Sequence, residues 1–73
     1  MANKFWPAIA RTGGGAGSLD AIDGDDLTVA DGGLVMMSTF TGAYVVIAST
    51  AAEDDPSIII PDANPAAKRW KLV

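Results

Sequence analysis

The sequence predicts an all-β fold: a small antiparallel β-sandwich or partly open barrel, built around a central hairpin, with at most one or two helical turns. Three observations predict it. β-Branched and aromatic residues concentrate in 34–48 and 57–60. Clusters of glycine, proline and aspartate separate those runs. No stretch carries the 3.6-residue apolar period of a long helix.

Residues 1–17 read as an N-terminal arm with a glycine-rich segment, and residues 18–73 as a single small β domain. The arm opens with the apolar patch Lys4 to Ile9. Phe5 and Trp6 within it either seal the domain's own core or form an anchor for a partner, since aromatic residues dominate interface anchors. Thr12 to Gly17 carries four of the eight glycines. Such a run forms a flexible joint or a tight irregular loop, because glycine loses the most backbone entropy on ordering. It lacks the Lys-Ser/Thr of a phosphate-binding loop, and no clear strand precedes it.

Ser18 can cap a single helical turn, with Leu19 and Ile22 on the inner side. Asp20, Asp23, Asp25 and Asp26 then crowd around Gly24. Neither their spacing nor the absence of a closing glutamate suits a calcium loop, so Asx-turns with solvated carboxylates are expected.

Asp31-Gly32-Gly33 is a turn. Residues 34–39 and 43–48 follow as the arms of a hairpin, joined near Thr41-Gly42; a β-branched residue resists positive φ, which points to a loop longer than two residues. One phase of the first arm carries Leu34, Met36 and Ser38, the other Val35, Met37 and Thr39. Both are largely apolar, so the hairpin should be covered on both sides, by its own chain or by a neighbour. Residues 57–60 form a short strand stopped by Pro61. The last strand, 68–73, places Trp70 and Leu72 on one side and Arg69 and Lys71 on a wet side facing the acidic turns. The expected core is Leu34, Val45, Ile47, Ile58, Trp70 and Leu72. The expected interface residues are Phe5, Trp6, Met36, Met37 and Tyr44.

Composition narrows the function. At 73 residues there is room for one domain, stable by roughly 5 kcal/mol. No cysteine or histidine is present, which removes disulfides, thiolate and imidazole metal sites, and the Ser-His and Cys-His catalytic pairs. No catalytic residues, metal ligands or cofactors are assigned, and the chain is not expected to be an enzyme. A net charge of −4 repels phosphate and argues against nucleic-acid partners. No apolar run has the length of a membrane span, and the first residues do not form a signal peptide, so synthesis in the cytoplasm without membrane insertion is expected.

Two blocks carry a family resemblance. The first runs from Gly13 through Ser18-Leu19-Asp20-Ala21-Ile22-Asp23-Gly24 to Leu27 and Asp31-Gly32. The second is Ala51-Ala52-Glu53-Asp54-Asp55-Pro56, Ile58, Ile60-Pro61-Asp62 and Lys68 to Val73. With the hairpin between them, the chain from Gly13 onward resembles a family of small domains in bacteriophage and prophage virion proteins, often tail or tail-fibre associated. One departure is Gly33, where that family's pattern has Asp. The resemblance implies an all-β structural module in the virion of a phage made in a bacterial host cytoplasm. It would act as a homo-oligomer or with other virion proteins. The competing expectation is a carbohydrate-binding module for a host surface glycan. Trp6, Tyr44 and Trp70 are the candidate platform for it, and a buried Trp70 favours the structural reading.

Overall fold

The computed structural model describes residues 3–73, and the fold is all-β. Among these residues five strands form one sheet: β1 (Phe5–Ala8), β2 (Gly32–Met36), β3 (Thr41–Ala48), β4 (Ile58–Ile59) and β5 (Lys68–Leu72). Their order across the sheet is β1-β2-β3-β5-β4. The central hairpin is β2–β3, and two 3-10 turns, Leu19–Ala21 and Gly24–Asp26, are the helical elements. The second layer is irregular chain, not a second sheet. The sheet is also mixed, because β1 runs parallel to β2 while every other pair is antiparallel.

The apolar patch expected as an arm is therefore a sheet strand. Asp31 pins it. This aspartate is 1% exposed, and its carboxylate accepts from the Lys4 N–H and the Thr28 N–H, both at 2.9 Å. The Gly32 N–H donates back to the Lys4 carbonyl at 3.0 Å. One buried side chain thus joins the start of β1, the turn before β2 and β2 itself. Burial alone would raise its pKa, but the two amides outweigh that and hold the carboxyl below the usual range, helped by the Trp6 indole and the Lys4 charge.

The hairpin loop is Met37 to Phe40, closed by the Met37 N–H donating to the Phe40 carbonyl at 2.7 Å. Thr41 and Gly42, expected in the turn, belong to β3, where Gly42 pairs with Val35. Gly42 faces inward beneath Phe40 and Leu72: a Cβ there would lie 2.6 Å from the Phe40 ring. A residue that looks like a turn signal is a packing site for a ring.

The core lies on one face only. Ala8, Leu19, Leu27, Val35, Tyr44, Val46, Ile59 and Trp70 form it, with Trp6, Ile22, Met37, Phe40 and Leu72 packed against its border. Leu34, Val45, Ile47 and Ile58, expected inside, lie in the opposite phase and stay half-exposed. Trp70 shows why that phase is outermost. It has no exposed surface, and its ring lies over Gly33, whose added Cβ would stand 2.8 Å from Cζ3. The indole occupies the space that a side chain at Gly33 would need.

Irregular chain covers this face. Leu19 and Leu27 descend onto it from the turns. Asp23 accepts from the Asp25 N–H at 2.8 Å and from the Asn64 amide, an Asx-turn rather than a cation loop. The Lys68 ammonium donates to the Gly24 and Leu27 carbonyls, both at 2.9 Å, satisfying the end of the second turn. Pro65 to Lys68 is a tight turn closed at 2.8 Å, with Ala66 and Ala67 at φ +46° and +59°.

Candidate functional site

The uncovered face of the sheet is the leading candidate. Alternation along β1, β2 and β3 presents Phe5, Pro7, Leu34, Met36, Val45 and Ile47 on the side away from the core. Phe5 is 63% exposed and Met36 53%. No charged residue lies in these three strands. On β5 the same face carries Arg69 and Lys71. None of the nine acidic residues lies in any strand. An apolar field flanked by basic residues at one side has the make-up of an interface core with a polar rim.

The structure divides the expected interface residues. Phe5 and Met36 stand on the uncovered face. Trp6 and Met37 turn inward against the core, and Tyr44 is buried at 2% exposure, its hydroxyl donating to the Pro56 carbonyl. Burial raises the Tyr44 pKa. Phe5 and Trp6 are adjacent in an extended strand, so they cannot share a face: Trp6 packs against the core and Phe5 is exposed. Leu34, Val45 and Ile47 join the candidate face although the sequence pointed them inward. Two apolar phases cannot be ranked by hydrophobicity, and glycine does not rank them either, because Gly33 and Gly42 lie in the inner phase and Gly32 in the outer one. Burial of Trp70 and Tyr44 removes two of the three rings from a sugar platform.

Arg69 and Lys71 of β5 form no ion pair with the acidic turns among the described residues; Lys68 of the same strand is the one that reaches them, through the Gly24 and Leu27 carbonyls. The Arg69 Nε donates to the Ala51 carbonyl at 2.8 Å. Among the described residues the ion pair is Arg11–Asp55, 2.7 Å apart, with the guanidinium 4.5 Å from the centre of the Phe40 ring. It sits where the loop after β1, the hairpin loop and the segment before β4 converge, and it ties them together. The hydrogen bond to Asp55 raises the Arg11 pKa further.

The glycine-rich loop holds its own anion. Gly13, Gly14 and Gly17 take positive φ, and the Gly14 N–H donates to the Asp20 carboxylate at 3.1 Å. That carboxylate fills the place a phosphate would need. Asp20 is 4% exposed, and burial raises its pKa, with the neighbouring charges of Asp62 and Glu53 acting in the same direction. Among the described residues no three acidic side chains converge to hold a metal ion, and no pocket opens on the surface. No helix of the described residues is long and apolar enough to cross a membrane.

No family model, curated protein or solved structure matches the chain.

Proposed function

We propose that this chain is a structural assembly module of a bacteriophage or prophage virion, associated with the tail or tail fibre and made in the host cytoplasm. The observation that carries the assembly role is the uncovered, charge-free face of β1, β2 and β3. A domain this small gains stability by burying such a face against a neighbour. The virion setting rests on the resemblance in the blocks from Gly13 to Gly32 and from Ala51 to Val73. Its partners are copies of itself or other virion proteins.

The test is direct. Particles from an induced producing strain are banded on a density gradient and probed with antibody to this chain. Co-banding at a fixed ratio to the major particle protein is the expected result. Its absence from particles that contain their other components would refute the virion role.

A further inference from the structure

We infer that the β1–β2–β3 face seats an amphipathic helix of another protein, its apolar stripe on the three strands and its acidic residues, at i and i+4, over Arg69 and Lys71. The inference rests on the assembly reading and names the kind of partner.

The footprint fits one helix. β1, β2 and β3 span about 10 Å across and about 17 Å along five residues, on the order of 170 Å² in projection. A standard interface takes about 800 Å² from each partner, several times more. A helix is about 10–12 Å wide with its side chains, and about 12 residues at about 1.5 Å each run the length of the strands.

Backbone chemistry excludes an extended partner. A strand needs a sheet edge to satisfy its N–H and C=O groups. At β4, Ile58 exchanges both backbone hydrogen bonds with Asp54, at 2.8 and 2.9 Å. At β1, the Lys4 carbonyl accepts from Gly32, so Phe5, Pro7 and Ile9 direct their backbone groups outward. Pro7 has no N–H to offer, and the Ile9 N–H is bound to the Gly17 carbonyl at 2.9 Å. A segment that lies on the face instead finds no backbone partner in the sheet. A helix needs none, because its interior N–H and C=O groups bond each other.

Charge gives the partner its sign and its place. One register row crosses the outer face: Phe5, Gly32, Val45, Lys71, Ile58 and, across the last bridge, Asp54. Arg69 stands two residues from Lys71, opposite Ile47. Its guanidinium donates to the Ala51 and Lys68 carbonyls, and among the described residues neither Arg69 nor Lys71 has a carboxylate partner. The two cations line one flank of the apolar field, about 7 Å apart. Residues i and i+4 of a helix lie on one face and are separated by a rise of about 6 Å, which matches that spacing. Asp54 lies about 10 Å beyond Lys71 and repels an acidic helix from β4, which holds it over β1, β2 and β3. A second copy brings the same two cations with the same face, so the complement comes from outside the chain.

The probe is a ~14-residue peptide stapled as a helix, with a leucine stripe and glutamates at i and i+4 on one flank; its control carries lysines in their place. The net charge of −4 favours the lysine peptide, so a preference for glutamate reports the local pair of cations. Titrated to ~1 mM into the whole chain and followed by amide chemical shifts, the glutamate peptide should bind at least ~5-fold tighter than its control. The shifts should centre on Leu34, Met36 and Val45. Lys71→Glu should reverse the preference, and Met36→Asp should weaken binding of the glutamate peptide. Val29→Glu, in the turn before β2, should leave binding unchanged. Near-ultraviolet circular dichroism from Trp70 confirms that each variant is folded. Equal affinity for the two peptides, no binding of either, or shifts centred elsewhere overturns the inference. So does a concentration-dependent dimer that excludes the peptide, which makes a second copy the occupant. A chain that binds neither peptide yet co-bands with particles refutes the helix and leaves the assembly reading. Binding of the glutamate peptide by a chain absent from particles supports the helix seat and refutes the virion role.

Discussion

Gly33→Ala should destabilise the protein although alanine is the better residue for an ordinary strand. Gly33 has no positive φ, so its backbone accepts a side chain. The obstacle is Trp70: the added Cβ would stand 2.8 Å from Cζ3, 3.2 Å from Cη2 and 3.3 Å from the Leu19 Cδ1. Ordinary contact begins near 3.4 Å, and the ring is fully buried with no slack. Overpacking of this kind costs about 1–3 kcal/mol. The lost freedom of glycine in the unfolded chain returns about 0.5–1 kcal/mol. The net cost is about 1–2 kcal/mol, or roughly 4–16 °C in Tm for a domain of this size. Trp70→Phe removes no protein hydrogen bond, because the indole Nε1 has no partner among the described residues. It should cost on the order of 1–2 kcal/mol through the gap it leaves. The double variant decides between a local steric cause and a general one. Its methyl group occupies space the smaller ring vacates, so it should be more stable than the sum of the single changes by about 1 kcal/mol. Thermal and urea unfolding by circular dichroism read all four proteins. Gly33→Ala with an unchanged Tm, or strict additivity in the double variant, would refute the packing of Trp70 over Gly33.

Trp70→Ala should cost about 3–5 kcal/mol, nearly the whole stability of a small domain, and the chain should be largely unfolded by near-ultraviolet circular dichroism at room temperature. Asp31→Ala should loosen β1 by removing the acceptor of the Lys4 and Thr28 amides, at about 0.5–1.5 kcal/mol for each of these part-buried hydrogen bonds, and hydrogen exchange at those amides should rise first. The folded Asp31 pKa lies below its unfolded value, so its contribution is present above about pH 4 and is lost as pH falls toward the folded value. Asp20 has the opposite sign: its folded pKa is raised, so protonation relieves its burial as pH falls through that raised value. Asp31→Asn should therefore flatten the acid limb of Tm against pH and Asp20→Asn should steepen the net loss toward low pH; curves parallel to wild type would contradict both assignments. Ala67→Gly should stabilise by up to about 1 kcal/mol, since a left-handed alanine costs about 1–2 kcal/mol and glycine returns about 0.5–1 kcal/mol of that as entropy, and a lower urea midpoint would rule this out.

Residue types and their spacing were enough to determine the all-β class, the central hairpin, the closing strand with Arg69 and Lys71 outward, and the Asx-turn at Asp23; Asp20, expected solvated, is buried instead against the Gly14 amide. Each depends on local physics: β-branching, alternation, and carboxylates beside their own amides. What they left undetermined was which side of the hairpin is inside. Leu34 and Val35 are equally apolar, and hydrophobic burial has no direction until a covering layer exists. Tertiary structure supplied that direction through contacts distant in sequence: Trp70 over Gly33, Leu19 and Leu27 descending from the turns, and Asp31 drawing in β1 from 27 residues away. The strand Phe5–Ala8 was hidden for the same reason, because its parallel pairing is held by a buried carboxylate and not by a turn. The candidate face is the remainder of that choice, the apolar side left open once Trp70 had taken the other.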